Sequence, residues 1–320
     1  MECPKCKYIR QPHDSAPRWQ CPQCGIAYEK FLEDPPDTVV ARPAPVARRG
    51  IVRTNVAAHS RFKKLRITIL LIILAGVGLD SWLTMVRSTS WSHPLWVVVY
   101  PINGDGSVEA AEYIRTLTTD DFGSVEQFMA DEVQRYKLPV KEPVDVRIGP
   151  IMDELPPLPP KDRDVGKTML WSLQLRYWSI AKDQYDGPRP NIRIFVLYYK
   201  SEDGKLLEHS TGLQKGMVSV VHAFADRKMA ERNNVVIAHE MLHTLGATDK
   251  YDLSNGQPLY PDGYGNPEQQ PLLPQQWAEI MGGRIAISDN KAEMPKSLKQ
   301  TLIGRATARE IGWLGVKSGE

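Results

Sequence analysis

The segment 238–249 restricts the possible folds of this chain more than any other part of it. It reads Ala-His-Glu-Met-Leu-His-Thr-Leu-Gly-Ala-Thr-Asp and begins at the last residue of the apolar run 235–238. Apolar residues before and inside the segment predict a buried helix. His239 and His243 are four residues apart, so they project from the same face of that helix. The chain must therefore bury a helix that carries two imidazoles and a neighbouring carboxylate, Glu240.

The residues after the second histidine make the pattern more specific. Two imidazoles in this arrangement can bind one zinc ion, and Glu240 can serve as a general base. Gly246 can end the helix in a left-handed conformation and turn the chain back beneath the metal. Asp249 is then a candidate third protein ligand, which would leave the fourth position to water. A core helix with two satisfied histidines is the alternative, and the other candidate third ligands are Asp252, Glu279 and His222.

The pattern His-Glu-x-x-His-x-x-Gly-x-x-Asp, followed by a methionine beside two glycines at 281–283, resembles the metzincin metallopeptidases. Aspartate as the third ligand is the variant that snapalysin-like enzymes use. The resemblance implies an α+β domain with a mixed twisted sheet, an active-site helix and a loop-rich lower subdomain. It also implies a zinc-dependent endopeptidase that acts on peptide or protein substrates. The implied residues are His239, His243 and Asp249 as ligands of the catalytic zinc, Glu240 as the catalytic base, and Gly246 and Met281 as structural supports.

The resemblance also implies how the reaction proceeds. The zinc ion would polarise the substrate carbonyl and activate a water molecule, and Glu240 would pass the water proton to the leaving amine. In the family, an edge strand pairs with the extended substrate, and the strand 217–221 is the expected counterpart. Some members carry a tyrosine two residues after the turn methionine, but this chain has Gly283 there. Four other residues could stabilise the oxyanion: Tyr251, Tyr260, Tyr264 and Arg284.

The four cysteines all lie near the N-terminus, in two Cys-x-x-Cys pairs: Cys3, Cys6, Cys21 and Cys24. Paired knuckles of this kind are typical of a zinc ribbon, in which four thiolates hold one structural zinc ion. A segment this short cannot fold on core burial alone, so the metal would supply folding free energy. Two disulfides are the alternative. The ribbon could bind a cytoplasmic protein partner, whereas a net charge of +2 gives no general attraction to nucleic acid.

Residues 67–86 carry an apolar run that is interrupted by one charge, Asp80. About 20 residues at the helical rise match the hydrocarbon thickness of a bilayer, about 30 Å, so the run predicts a transmembrane helix. A buried core helix is the alternative. Seven basic residues precede the run between Arg48 and Arg66, and only Arg87 follows it before Asp105. The positive-inside rule then places the N-terminus in the cytoplasm and the remainder outside, as in a single-pass protein of a bacterial inner membrane.

The sequence therefore predicts four parts: a zinc ribbon at 1–30, a linker rich in Pro and Arg at 31–66, a transmembrane helix at 67–86 and a metallopeptidase domain at 88–320. In the last part, apolar patterning predicts strands at 95–100, 144–148, 192–198 and 216–223. It also predicts helices at 107–136 with a break near Gly123, and at 168–182, 232–245 and 297–311. Two functions other than catalysis are a zinc-containing binding module and a membrane scaffold whose ribbon binds protein or RNA. The intact Glu240 favours an enzyme.

Overall fold

The computed structural model of the chain describes residues 2–3, 5–14, 16–27, 63–72, 74–76, 78–79, 91–160, 164–202, 207, 210–214 and 216–315. The chain divides into two units, 1–63 and 64–320, which are described separately. Most of the predicted linker lies outside the described residues.

The N-terminal unit consists of two similar turns. In the first, the Lys7 amide donates to the Cys3 carbonyl, and a β-bridge joins Glu2 to Ile9. In the second, the Gly25 amide donates to the Cys21 carbonyl in the same way. Each turn follows one Cys-x-x-Cys pair, so the backbone repeats at the two knuckles.

Five strands of the larger unit form one mixed sheet with the order β2-β1-β3-β5-β4. They are β1 (Leu95–Asn103), β2 (Val144–Ile148), β3 (Ile192–Tyr199), β4 (Thr211–Leu213) and β5 (Val218–Phe224). The first four in this order are parallel, and β4 is antiparallel to β5. The apolar runs of β1 and β3 are buried on both faces, as expected for parallel strands that helices cover on both sides. The prediction of a mixed sheet is confirmed.

Four helices cover the two faces of the sheet: α1 (Val108–Arg115), α2 (Gly123–Arg135), α3 (Val165–Ala181) and α4 (Ala230–Thr244). Residues of α1, α2 and α4 share one hydrophobic core with Val97 and Val99 of β1. On the other face, Trp171 and Leu175 of α3 pack with Val98. Successive side chains of a strand point to opposite faces, so β1 contributes to both cores, as β3 and β5 also do.

The C-terminal part is built from short elements. The strands are β6 (Ala278–Glu279), which pairs with β9 (Thr301–Leu302), and β7 (Ile285–Ser288), which pairs with β8 (Lys291–Glu293). A final helix, α5 (Arg305–Glu310), is much shorter than the predicted helix at 297–311. The predicted length is wrong because Thr301 and Leu302 pair with β6 instead of continuing a helix.

The predicted transmembrane helix at 67–86 is wrong. Among the residues that the structure describes, no helix is long and apolar enough to cross a membrane. The described residues of this region are helical at 63–72, 74–76 and 78–79, and residues 80–90 lie outside the description. The prediction of a single-pass inner-membrane protein with a cytoplasmic N-terminus and an exported domain is corrected with it.

Candidate metal centre and active site

Helix α4 is fixed at its N-terminal end and along one side. The Asn233 side chain exchanges two hydrogen bonds with the backbone of Phe224, at the end of β5, with distances of 3.2 and 2.9 Å. Ile237, Met241 and Leu242 are buried in the main core. This packing turns the opposite side of the helix, with His239 and His243, toward the C-terminal loops.

Three ligand atoms converge beside α4. The Nε2 atoms of His239 and His243 are 3.1 Å apart. The Oδ1 atom of Asp249 lies 3.2 Å from Nε2 of His239 and 3.1 Å from Nε2 of His243. The three residues therefore form a group that could hold a metal ion, with one ligand atom from each residue.

The second nitrogen of each imidazole fixes its tautomer. Nδ1 of His239 lies 2.8 Å from the Ile280 carbonyl oxygen, and Nδ1 of His243 lies 2.8 Å from that of Ala247. A carbonyl oxygen only accepts hydrogen bonds, so each Nδ1 carries a proton, and each ring, when neutral, presents a lone pair at Nε2. Metal-binding histidines are usually oriented by hydrogen bonds of this kind.

The convergence of acceptor atoms perturbs the ionisable groups. Burial lowers the pKa of His239, but the hydrogen bond to Asp249 and the negative charge of Glu240 outweigh it and raise this pKa to about 9. Burial raises the pKa of Asp249, but its bonds to the two histidines hold that pKa well below the usual range. Both shifts indicate that the position between the three residues favours positive charge.

The chain returns from α4 to the site through Gly246. This residue has a φ of 105°, and a Cβ added to it would lie 2.5 Å from Nε2 of Gln214. The left-handed conformation disfavours any side chain there, whereas the end of the flexible Gln214 side chain could move aside. The return path is held by Lys250, whose buried Nζ donates to Glu310 at 2.7 Å and to the Thr248 carbonyl at 2.8 Å. Asp249 is thus anchored on both sides.

The turn that contains Met281 supports His239 from below. The buried Glu279 side chain accepts bonds from the Gly282 amide, the Gly304 amide and the Thr307 hydroxyl, at 2.8, 3.0 and 2.6 Å. These bonds fix the carbonyl of Ile280, which accepts from His239. Met281 is fully buried in the main core. Glu279 therefore supports the turn and is not part of the group of ligand atoms.

The other alternative ligands also lie apart from this group. Asp252 accepts bonds from the amide and hydroxyl of Ser254 in an exposed turn. Nδ1 of His222 is 3.0 Å from the Tyr199 hydroxyl. Of the three candidate third ligands besides Asp249, the described structure brings none to the two α4 histidines.

Among the candidate oxyanion donors, Tyr251 packs beside His239, one of the three residues that could hold a metal ion. Its ring centroid is 6.4 Å from that of His239. Burial and the negative charges of Asp249 and Glu240 raise the pKa of Tyr251 to about 12, so its hydroxyl remains a donor at neutral pH. By contrast, Tyr260 and Tyr264 pack against each other, with ring centroids 5.4 Å apart. Arg284 lies beside Gly256.

Gly212 lies beside Glu240 in the structure but is not predicted as a site residue from the sequence. A Cβ at Gly212 in β4 would lie 2.6 Å from the Glu240 carbonyl oxygen, 2.6 Å from the His243 Cβ and 3.3 Å from Oε2 of Glu240. Only glycine lets this strand approach the helix so closely. No local sequence pattern predicts the contact of Gly212 with α4, because it joins residues that are far apart along the chain.

The four cysteines form a second group that could hold a metal ion. Sγ of Cys3 lies 3.7 Å from Sγ of Cys24, and Sγ of Cys6 lies 3.6 Å from Sγ of Cys21. All four sulfurs lie within 4.8 Å of one another, and none is in a disulfide. The geometry favours metal binding over the alternative of two disulfides.

Comparisons with known proteins identify no family. No protein-family model and no curated protein matches the chain. The crystal structure of catalytic inactive OgpA from Akkermansia muciniphila, in complex with an O-glycopeptide (glycodrosocin) substrate, is similar at 12% identity and a TM-score of 0.32. The match covers 71% of this chain and 63% of that chain, which is less than two thirds of its length.

Proposed function

We propose that this chain is a zinc-dependent peptidase of the metzincin type, with its catalytic domain at 88–320. The observation that carries the proposal is the convergence of Nε2 of His239, Nε2 of His243 and Oδ1 of Asp249, all within 3.2 Å of one another. Two nitrogens and one carboxylate oxygen, with a fourth position left open, are typical of catalytic zinc. A zinc ion bound there would act as a Lewis acid and lower the pKa of water.

Glu240 is the proposed general base. It follows His239 directly on α4, and its side chain is buried against Gly212 at the edge of the site. A carboxylate in this position can accept the proton of the attacking water and deliver it to the leaving amine. The proposal gives Glu240 no role as a metal ligand, which leaves its oxygens available for proton transfer.

Strand β4 is the proposed binding edge for the substrate backbone. It pairs with β5 on one side and ends the order of the sheet on the other. An extended peptide could add to β4 by main-chain hydrogen bonds, beside Glu240 and His243. The expectation that strand 217–221 fills this role is wrong, because β5 lies inside the sheet between β3 and β4.

Tyr251 is the proposed donor to the oxyanion, and Tyr251→Phe tests it. We expect kcat to fall by about 10²-fold, at the low end for loss of one oxyanion donor, because water can reach this half-buried position. KM should change little, since the bond forms mainly in the transition state. Steady-state kinetics on a fluorogenic peptide measure both values. Tyr260→Phe is the matched control, and equal kcat values for the two variants would exclude the role of Tyr251.

The N-terminal unit is a proposed zinc ribbon with four cysteine ligands and a structural role. The closely spaced sulfurs of Cys3, Cys6, Cys21 and Cys24 support this proposal. Among the described residues of this unit, the small core contains besides cysteines only the partly buried side chains of Tyr8 and Ile26. Zinc would therefore supply most of the folding free energy of this part of the chain.

Metal removal tests the proposed function directly. The full-length chain should contain two zinc ions and hydrolyse an unstructured protein such as casein. A strong chelator should abolish hydrolysis, and re-added zinc should restore it, because the ligands in both sites remain intact. Zinc content is measured by atomic absorption and hydrolysis by peptide release. Zinc-loaded protein without hydrolysis would reject the peptidase and favour a binding module, and hydrolysis that survives metal removal would reject the zinc mechanism.

A further inference from the structure

A cavity of about 370 Å³ lies at the β4 edge of the sheet, next to the N-terminal half of α3. Its main lining residues are Pro159, Pro160, Val165, Met169, Trp171 and Thr211. Trp171 is held in place because its Nε1 donates to the Pro157 carbonyl at 2.8 Å. Val165 and Met169 are 73% and 63% exposed, so large apolar side chains border the cavity without covering it.

Strand β4 connects this cavity to the proposed active site. Gly212 faces α4, because its missing Cβ would contact Glu240 and His243. Leu213 packs with the core on the α3 side of the sheet. Thr211 lines the cavity on that same side, as strand alternation requires. One three-residue strand thus has the metal-binding group at one face and the cavity at the other.

We propose that the cavity is a specificity site that receives a large apolar side chain of the peptide substrate. The inference rests on the proposed function and deepens it. A peptide that adds to β4 would continue the alternation of the sheet, so its successive side chains would point to the α4 face and to the α3 face. A residue within about two positions of the scissile bond would therefore place its side chain in the cavity.

The chemistry of the walls selects the side chain. Among the residues that the structure describes, those that line the cavity include no charged side chain. A charged substrate residue would lose its hydration there and gain no ion-pair partner. The volume lies near the lower end of the range for ligand pockets, which suits one large side chain better than a separate small molecule. Leu, Met, Phe and Trp are the expected occupants.

The test uses the full-length zinc-loaded protein and peptides that differ in one residue. Mapping the cut sites in casein identifies the scissile bond. A matched series of fluorogenic peptides then carries Leu, Phe, Ser or Asp at each position within two residues of it. At one position we expect kcat/KM to be at least tenfold higher for Leu or Phe than for Asp. Met169→Lys should reduce that ratio at least fivefold, mainly through KM for the apolar peptides.

Leu173→Lys is the matched control. It lies one helical turn after Met169, is 52% exposed and does not line the cavity, so the ratio should stay unchanged. A second measurement does not require turnover. Fluorescence anisotropy should show that zinc-loaded Glu240→Gln binds the Leu or Phe peptides more tightly than the Asp peptide. Adding Met169→Lys to that variant should reduce this preference. Hydrolysis with no effect of Met169→Lys on selectivity would overturn the specificity site alone. Selective binding without hydrolysis in the unmodified protein would overturn the peptidase function but keep the specificity site. Absence of both hydrolysis and selective binding would overturn both proposals.

Discussion

Glu240→Gln should reduce kcat for peptide hydrolysis by about 10²- to 10⁴-fold, the usual contribution of a general base. Glutamine has nearly the same shape as glutamate, so the buried position beside Gly212 should accept it. It cannot accept the proton of the attacking water at neutral pH. Zinc content should remain two ions per chain, because His239, His243 and Asp249 are unchanged. The measurements are kcat on a fluorogenic peptide and zinc content of the same preparation.

Glu231→Gln is the matched control for this prediction. Glu231 lies in the first turn of the same helix and is exposed, so the same chemical change occurs far from the ligand atoms. Its kcat should equal that of the unmodified protein. Near-normal turnover in Glu240→Gln would mean that another group accepts the proton, whereas loss of zinc would mean that Glu240 supports the metal site.

The part of the site that lies on α4 could be predicted because its geometry is local. The spacing of His239 and His243 places them on one face of any helix, and the apolar residues around them predict its burial. The predicted helix at 232–245 agrees with the observed Ala230–Thr244 to within two residues at each end. Gly246 and Asp249 follow so closely that one left-handed residue is enough to bring the carboxylate back.

The binding edge could not be predicted because its signal is not local. Strand β4 has three residues, which is too short for an alternating pattern to be recognised. The need for glycine at 212 arises from contact with Glu240 and His243, about 30 positions away in the sequence. From the sequence Glu279 is a candidate ligand, whereas its three hydrogen bonds show a carboxylate that organises a turn. Carboxylates of both kinds look alike in a sequence.

The transmembrane prediction failed for a different reason. A hydropathy argument adds side-chain transfer free energies and assumes that the apolar run is one continuous helix. The apolar content of 67–86 satisfies the requirement on side-chain transfer free energies. Among the residues that the structure describes, however, no helix is long and apolar enough to cross a membrane. Apolar composition alone was therefore an insufficient criterion.

Asp249→Ala should remove one of the two zinc ions and all peptide hydrolysis. Loss of a residue that only hydrogen-bonds to a ligand typically costs about 10- to 100-fold in metal affinity, so loss of a direct ligand should weaken binding by more than about 100-fold. The remaining two histidines would hold the ion through only two protein bonds, and the four-cysteine site would keep its own. Zinc content after dialysis against a weak chelator measures the change, and circular dichroism checks that the fold persists.

Asp252→Ala is the matched control, because Asp252 is a carboxylate three residues further along the same loop and bonds only within its own turn. It should retain two zinc ions and full activity. A reversed result, with zinc lost from Asp252→Ala and retained in Asp249→Ala, would mean that the loop folds differently around the bound ion. The contacts of Lys250 with Glu310 and with the Met281 carbonyl argue against such a rearrangement, because they fix the backbone directly after Asp249. Under the proposed function, the loop that follows Gly246 therefore supplies the third ligand, and the histidine pair on α4 depends on that loop to complete the site.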